Sequence, residues 1–343
     1  MRTFIFGAGA SVHAGYPLAS NLWRSMEQWT LSNFPEGHNF RTAVDTMRSE
    51  FDLSKSFELV LTDLDDRIEP FLKEKPDTRK GIEEKVRLVY LRVALRAMIP
   101  SYFNSLRSQP ARLYGIFATC VLARGDAVIT FNYDVALDRE LAKSANWHVA
   151  NGYGFELERA NPVQSPIKLL KLHGSTNWRG ELFRGMRGFF QMNPGEFSLG
   201  PRPVIGSSEL KYLEGGVEFD PLSHDGGASI ECLILPTARK KFFNETSLGP
   251  EWKDFWDSLW FQAGEALAAS TEVYVIGYSA PEFDVRARDL LARKIDKRAI
   301  VNVCCHDGTN SVAESLRNLV ESEVRPTEPC TFEGWLSSVN RLK

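Results

Sequence analysis

Short apolar runs that end at glycine or polar residues recur along this chain, with helical stretches between them. Six such runs are Thr3–Phe6, Ala127–Phe131, Ile167–Leu172, Cys232–Leu235, Val273–Ile276 and Ile300–Cys304. Nearly continuous apolar character is typical of strands buried on both faces, as in parallel sheets covered by helices. The pattern predicts an α/β fold with a Rossmann-like six-stranded parallel sheet covered by helices.

Two long intervals between these runs indicate insertions in a single domain that covers residues 1–343. The first, from about 20 to 120, is too long for one crossover helix and predicts an inserted helical module. The second, from about 178 to 230, is rich in glycine, proline and aromatic residues and predicts an irregular insertion.

Apolar residues at helical spacing indicate helices in three places. One helix carries an apolar face of Ile82, Val86, Val89, Val93 and Ala97. A second is expected from Ser56 to Arg67, with a buried side of Phe57, Val60, Leu61 and Leu64. A third carries Trp252, Trp256 and Trp260 four residues apart, which predicts an aromatic stripe that packs onto the sheet.

Charge and composition exclude several classes of protein. The chain has 41 basic and 44 acidic residues and a net charge of −3, so it has no general attraction for nucleic acids or anionic membranes. No apolar run approaches the ~18–20 residues that span a bilayer, and the first apolar run is too short for a signal peptide. The five cysteines are scattered and indicate no disulfide framework. We therefore expect a cytoplasmic protein.

A glycine-rich turn follows the first predicted strand. Gly7, Ala8, Gly9, Ala10 and Ser11 are small enough for the backbone to approach a phosphate closely. Val12 stands where a dinucleotide fingerprint has its third glycine, so the loop indicates a nucleotide but not an ordinary dehydrogenase. The irregular segment from Gly15 to Leu18 is a candidate lid.

Polar residues, together with one glycine, follow three more of the predicted strands. They are Asn132, Asp134, His173, Gly277, Tyr278 and Ser279. Ligands bind at the carboxyl ends of strands in open parallel sheets, so these residues are expected at one edge.

Taken together, these segments resemble the motifs of the sirtuin-like superfamily, and they follow its order. Gly7–Ser11 resembles the first NAD-binding motif, Thr130–Asp134 the Asn–Asp motif and Lys171–Ser175 the catalytic His-Gly motif. Val275–Ser279 with Pro281–Asp284 resembles the later nucleotide-contacting motif. The sequences of these motifs are similar to those of NAD-hydrolysing proteins of bacterial anti-phage defence, and they are less similar to those of protein deacylases.

Departures from the deacylases point the same way. Sirtuin deacylases carry paired Cys-x-x-Cys motifs that bind zinc, whereas this chain has only Cys232 between the His-Gly and later motifs, so no zinc is expected. At the last strand sirtuins place Asn-Pro for the adenosine ribose, whereas this chain reads Cys304, Cys305, His306 and Asp307, which leaves open how the adenosine end of NAD is held.

The resemblance implies an NAD glycohydrolase that uses NAD as substrate and requires no cofactor. Asn132 would orient the ribose or the attacking water, and His173 would contact ribose hydroxyls or act as general base. Asp134 would contact the nicotinamide side, and Gly7–Ser11 with Gly277, Tyr278 and Ser279 would bind the rest. Alternatives left open are an NAD-dependent deacylase or ADP-ribosyltransferase, and a non-catalytic NAD sensor.

An unrestrained NAD hydrolase would harm its own cell, so activity is expected to be switched. Defence relatives use a fused sensor or a separate partner, and after Asp284 the sequence indicates only one strand, a helix and a tail. We therefore expect homo-oligomerisation and a separately encoded partner, either a translocase-type ATPase or a short Argonaute.

Overall fold

A computed structural model describes ten parts of the chain. They are residues 1–74, 76–106, 109–149, 151–155, 165–181, 229–233, 235–237, 250–305, 310–328 and 331–340. Most of the second predicted insertion lies outside these ranges, as do His306 and Asp307.

The described strands form a six-stranded sheet and a separate two-stranded sheet. In chain order they are β1 (Arg2–Phe6), β2 (Ala127–Thr130), β3 (Lys168–Lys171), β4 (Gly174–Glu181), β5 (Ser229–Leu233), β6 (Glu272–Ile276), β7 (Ile300–Cys304) and β8 (Glu323–Pro326). All neighbouring strands of the larger sheet are parallel. The predicted parallel fold is confirmed, and its central strands are buried because helices cover both faces.

The order of strands in the larger sheet is β3-β2-β1-β6-β7-β8. The chain moves outward from β1 in one direction and then returns to its other side with β6. This reversal makes the carboxyl ends of β1 and β6 the topological switch point, where open sheets of this order bind dinucleotides.

The membership of the sheet differs from the prediction in one strand. The apolar run at Cys232–Leu235 does not join the parallel sheet: β5 pairs antiparallel with β4, and Leu235 lies beyond it. The sixth parallel strand is β8, which among the described strands pairs with β7 alone. β8 is an edge strand that contains a proline and one buried residue, Val324, so it has no continuous apolar run.

Helices fill the interval between β1 and β2. They are α1 (Ala8–Ser11), a 3₁₀ turn (Val12–Ala14), α2 (Ala19–Asn33), α3 (Asn39–Glu50), α4 (Phe57–Lys73), α5 (Arg79–Ser105), α6 (Arg112–Ile116) and a π-helical turn (Phe117–Val121). The later helices are α7 (Ala136–Leu141), α8 (Pro250–Ala268), α9 (Val285–Lys294), α10 (Ser311–Arg317) and α11 (Phe332–Asn340).

Two helices of this interval test the sequence periodicity. In α4 the predicted buried residues are in the core, and Ser56 caps the helix by accepting from the amide of Leu59. In α5 the helix is confirmed but its predicted apolar face is buried only in part: Ala97 is in the core and Val89 packs against it, whereas Ile82 and Val86 are 50% and 61% exposed. A stripe of larger side chains is buried instead, and it consists of Leu88, Leu91, Leu95, Met98 and Tyr102.

The tryptophan helix, α8, packs its aromatic residues inward. Trp256 and Trp260 are buried, as predicted, and Trp256 lies 6.5 Å from the ring of Trp178 on β4. The side chain of Trp252 lies outside the described part. Among the described residues, no helix is long and apolar enough to cross a membrane.

Candidate active site at the switch point of the sheet

The register of the parallel strands brings the predicted motif residues to one edge. Thr130 of β2 pairs with Phe6 on one side and with Lys171 on the other, and Phe6 also pairs with Ile276. The residues that follow these positions, in sheet order, are His173, Asn132, Gly7 and Gly277. Because Asn132 and His173 each lie two residues beyond a paired position, they leave adjacent strands at the same edge.

Three glycines interlock at the switch point. The amide of Gly9 donates to the carbonyl of Gly277 at 2.9 Å, and the amide of Gly7 donates to Ile276 at 3.0 Å. A Cβ on Gly7 would lie 2.5 Å from the Gly277 oxygen, and one on Gly277 would lie 2.3 Å from the Ala10 nitrogen. Gly277 also has φ +62°, a left-handed conformation that favours glycine. The turns after β1 and β6 can approach this closely only without side chains.

This packing also engages much of the loop's hydrogen-bonding capacity. The amides of Gly7, Gly9 and Ala10 all donate to backbone carbonyls. Among the described residues, no backbone carbonyl accepts from the amide of Ala8. The expected contact between the loop and a pyrophosphate stays a prediction. The backbone amide of Ala8 is the group of this loop that would make most of that contact.

Asn132 is held by the glycine loop. Its side-chain nitrogen donates to the carbonyl of Gly7 at 2.8 Å and to the hydroxyl of Ser11 at 3.1 Å. A carbonyl oxygen can only accept, so the atom that faces Gly7 must be the amide nitrogen. The side-chain oxygen of Asn132 is therefore the atom that can accept from a ligand hydroxyl or a water, and the residue is partly exposed.

Ser11 is the centre of a buried hydrogen-bond network. Its hydroxyl donates to Asp134 Oδ2 at 2.7 Å and lies 2.8 Å from the hydroxyl of Tyr114. Since Ser11 uses its one proton on the carboxylate, Tyr114 donates to Ser11. Burial raises the pKa of Tyr114 well above its ordinary value, so the phenol keeps its proton. Tyr114, on α6, was not anticipated from the sequence, because it lies in the inserted helices and follows no strand.

Asp134 is buried behind this network rather than open to the cleft. Its Oδ1 accepts from the amide of Ala136 at 3.0 Å, and its Oδ2 accepts from Ser11. Burial raises the pKa of the Asp134 carboxyl, while the positive charge of Lys171 opposes that rise. A direct contact with nicotinamide stays a prediction. In the structure the carboxylate orients Ser11, and through Ser11 it orients Asn132.

His173 lies in an aromatic environment at the same edge. Its ring centroid is 5.0 Å from that of Phe131, 6.4 Å from Trp260 and 6.5 Å from Tyr133. Its Nε2 lies 3.3 Å from Oδ2 of Asp284, a residue at the start of α9. The imidazole therefore has a carboxylate neighbour inside a poorly solvated pocket, which is where a histidine can act in proton transfer.

The later motif contacts the residues around His173. Tyr278 is buried, and its ring stacks on Phe131 with centroids 4.3 Å apart. Its hydroxyl donates to Asp284 Oδ2 at 3.2 Å. Ser279 is exposed at the rim. Binding of NAD by Tyr278 and Ser279 stays a prediction, and the structure adds a contact of Tyr278 with Asp284.

A second buried network lies beneath His173. Lys171 is 1% exposed, and its Nζ lies 3.0 Å from Asp138 Oδ2 and 2.5 Å from the carbonyl oxygen of Asp134. Tyr153 donates to the other oxygen of Asp138 at 2.5 Å, and Asn177 donates to the hydroxyl of Tyr153 at 3.0 Å. This network ties β3 and β4 to α7 and holds the backbone on which His173 sits.

The segment from Gly15 to Leu18 is irregular, as predicted. Gly15 adopts φ +81° at the end of the 3₁₀ turn, and α2 begins at Ala19. Tyr16 is buried and its ring lies 5.4 Å from Phe103 of α5, whereas Leu18 is exposed. Its use as a lid stays a prediction.

Among the described residues, no group of three His, Cys, Asp or Glu side chains is arranged to hold a metal ion. Cys304 is buried and Cys305 is partly buried, with its thiol 3.5 Å from the carbonyl oxygen of Tyr278.

The similarity of the chain to known proteins is found in structure and not in sequence. No protein-family model matches the sequence, and no curated protein matches it. Solved structures of Sir2 proteins are similar over nearly the whole chain. One, from a study of the mechanism and regulation of Sir2 enzymes, has 13% identity, covers 100% of this chain and 93% of its own, and has a TM-score of 0.38.

A Sir2 homologue in complex with NAD has 12% identity, covers 99% of this chain and 90% of its own, and has a TM-score of 0.39. A Sir2 structure with a p53 peptide and NAD⁺ has 13% identity, covers 100% and 91% of the two chains, and has a TM-score of 0.36. The order and direction of the strands in this chain make its fold a Rossmann-like parallel sheet covered by helices.

Proposed function

We propose that this chain hydrolyses the bond between nicotinamide and ribose in NAD and releases nicotinamide and ADP-ribose. The observation that carries the proposal is the convergence of Asn132 and His173 at one edge of the sheet, on adjacent strands. They lie beside the interlocked turns of Gly7 and Gly277, at the point where this strand order accepts a dinucleotide. The choice of NAD among dinucleotides comes from the resemblance of the sequence motifs.

The chemistry needs few groups, and the site supplies them. Nicotinamide leaves as a neutral molecule, so its departure requires no general acid, and positive charge develops on the ribose. Preorganised oxygen atoms that face this charge stabilise the transition state. The side-chain oxygen of Asn132 is oriented by Gly7 and Ser11 and can accept from a ribose hydroxyl or from the attacking water.

His173 would act as the general base toward water. The aromatic rings of Phe131, Tyr133 and Trp260 surround it and limit competing solvent. The carboxylate of Asp284 adds negative charge next to the imidazole, which favours the positive charge that forms when the base takes a proton. A positioned base of this type contributes about 10²–10⁴-fold to the rate.

The proposal is tested by incubating the purified chain with NAD and with the protein products of its neighbouring genes, without any acceptor, and following nicotinamide and ADP-ribose by chromatography. We expect the wild-type chain to consume NAD, and Asn132→Ala and His173→Ala to lose activity while their circular dichroism stays unchanged. Matched controls are Asn33→Ala and His148→Ala, since both residues are exposed on the surface. A fully active His173→Ala variant would remove the proposed base.

The same assay separates the two alternatives. A deacylase or ADP-ribosyltransferase needs an acyl-lysine or a protein acceptor, so NAD would be consumed only when one is added. A sensor would bind NAD and leave it intact under every condition that supports binding. Consumption of NAD by the chain without an acceptor contradicts both.

We further propose that this activity serves bacterial defence against phage, in an oligomer that is switched on by a separately encoded ATPase or Argonaute partner. The support is the similarity of the motifs to those of NAD-hydrolysing defence proteins. Cells that carry the chain with its genomic neighbours should lose NAD after infection, and cells with Asn132→Ala should not. If light scattering shows a monomer and the NAD assay shows that this monomer is fully active, the proposal that assembly and a partner switch on the activity is contradicted.

A further inference from the structure

His173 has a buried carboxylate neighbour that reaches it from a distant part of the chain. Asp284 is 1% exposed, and its Oδ2 lies 3.3 Å from Nε2 of His173. It immediately precedes α9, yet its side chain makes no capping hydrogen bond to that helix. An aspartate at this position usually caps the helix. Here the carboxylate is directed to the imidazole instead.

The path of the backbone holds Asp284 in this place. Ala280 adopts φ +48°, a left-handed conformation that is unfavourable for a residue with a Cβ. The carbonyl oxygen of Ala280 accepts from the guanidinium of Arg288 at 2.8 Å, and the amide of Asp284 donates to the carbonyl of Pro281 at 2.9 Å. Strained backbone of this type is retained where the surrounding structure determines it, and it clusters at functional sites.

A second donor fixes the orientation of the carboxylate. The hydroxyl of Tyr278 donates to the same oxygen of Asp284 that faces His173, at 3.2 Å. Burial raises the pKa of Tyr278 well above its ordinary value, and the charge of Asp284 raises it further. The phenol is therefore a donor at any physiological pH, and it holds Oδ2 toward the imidazole.

The other charged groups around the pocket are accounted for. Arg288 lies near Tyr278, while Arg286 pairs with Asp257 at 2.7 Å and covers the ring of Trp260. Lys171 pairs with Asp138, and the negative charge of Glu58 contributes to raising the pKa of Tyr133. The carboxylate of Asp284 lies within ion-pair distance of the His173 ring.

We propose that Asp284 is the positioning residue of His173, an inference that rests on the function proposed above. Asp284 accepts from Nε2–H and so fixes the tautomer in which Nδ1 carries the lone pair. Water attacks the anomeric carbon of the ribose, the bond to nicotinamide breaks with its electron pair on nicotinamide, and the water proton passes to Nδ1. Asp284 stabilises the imidazolium until that proton leaves to solvent.

The test compares Asp284→Asn with Asp284→Ala. Asparagine keeps an acceptor oxygen of the same shape and removes only the charge, so it stays informative if the alanine variant fails to fold. We expect the asparagine variant to lose roughly 10–100-fold in kcat with little change in KM, a loss of the size seen when a group that orients a metal-binding histidine is removed. The matched control is Asp289→Asn on the same helix, since Asp289 is 58% exposed and pairs with Arg293 on the surface. This control should keep wild-type activity.

The pH profile distinguishes positioning from a merely structural role. A neighbouring carboxylate favours the protonated imidazole, so its removal lowers the pKa of the base. The limb of kcat/KM that rises with pH should therefore move to lower pH in Asp284→Asn. A variant that only loosened the fold would lose activity without moving this limb.

Nitrogen NMR of the histidine rings gives a readout that does not depend on activity. The His173 signals are assigned by their loss in His173→Ala. We expect the Nε2–H tautomer in the wild-type chain and a mixture of tautomers in Asp284→Asn. If the wild-type chain consumes no NAD but the tautomers behave this way, the proposed function fails and the positioning role stands. If NAD is consumed but both the tautomer and the pH profile are unchanged in Asp284→Asn, the positioning role is overturned.

Discussion

Replacement of Gly277 by alanine should destabilise the fold through two separate effects. The residue has φ +62°, and a left-handed conformation costs a residue with a Cβ about 1–2 kcal/mol. The added Cβ would also lie 2.3 Å from the nitrogen of Ala10 and 2.6 Å from the carbonyl carbon of Gly9. Both are backbone atoms, so neither can move without moving its turn.

That movement breaks the hydrogen bond between the amide of Gly9 and the carbonyl of Gly277, which is 2.9 Å long. A hydrogen bond of this type contributes about 1 kcal/mol. Together the two effects lower the free energy of unfolding of Gly277→Ala by about 2–3 kcal/mol.

Two further glycines separate the effects. Gly37 has φ +85° with nothing within 4 Å of its Cβ position, so Gly37→Ala carries only the conformational cost of about 1–2 kcal/mol. A Cβ on Gly9 would lie 2.9 Å from Cα of Gly277, and Gly9 has no left-handed φ, so Gly9→Ala carries mainly the steric cost. The three variants are compared by equilibrium urea unfolding. If Gly277→Ala is no less stable than Gly37→Ala, the interlocked turns are not a constraint on this fold.

Three further outcomes are expected. Lys171→Met should cost about 3–5 kcal/mol in urea unfolding because it leaves the buried charge of Asp138 without its cation, and a loss below ~1 kcal/mol contradicts that pairing. Burial raises the pKa of Asp134 above its unfolded value of 3.8. Between the unfolded and the folded pKa the native state therefore binds more protons than the unfolded state, and stability falls as pH rises through this window. Asp134→Asn should remove this contribution, so the stability of wild type relative to the variant should decrease with rising pH, and an increase refutes the sign. In urea unfolding, Leu95→Ala should lower the free energy of unfolding by about 2–5 kcal/mol and Val86→Ala by less than ~0.5 kcal/mol, because α5 buries Leu95 and exposes Val86. Equal losses contradict the assignment of the buried face of α5.

The central strands were predictable because burial on both faces favours a nearly continuous apolar run. Thr3–Phe6, Val273–Ile276 and Ile300–Cys304 have this character, and the structure has strands there. The edge strand β8 does not have it, since most of Glu323–Pro326 is exposed to solvent. An apolar run also does not encode its partner, which is why Cys232–Leu235 was assigned to the wrong sheet.

The helical interval shows a similar limit. The periodicity of α5 is real, but this helix carries two apolar stripes, and local sequence does not say which one meets the core. The neighbouring helices bury the stripe of Leu88, Leu91 and Leu95 and leave Ile82 and Val86 at the surface. Larger side chains remove more apolar area from water, so that stripe is the favourable one to bury.

The sequence by itself determined which residues stand at the ends of buried strands, and therefore that Asn132, His173 and the glycine turns share an edge of the sheet. Only the tertiary structure decided how their atoms are used. The Asn132 side-chain amide donates to the carbonyl of Gly7, and the Asp134 carboxylate accepts from Ser11. The Asp284 carboxylate lies next to the imidazole of His173. The physical reason is that strand ends follow from local burial, whereas hydrogen-bond partners depend on the crossing of distant segments, here on the left-handed turn at Ala280 and the close approach of Gly9 to Gly277.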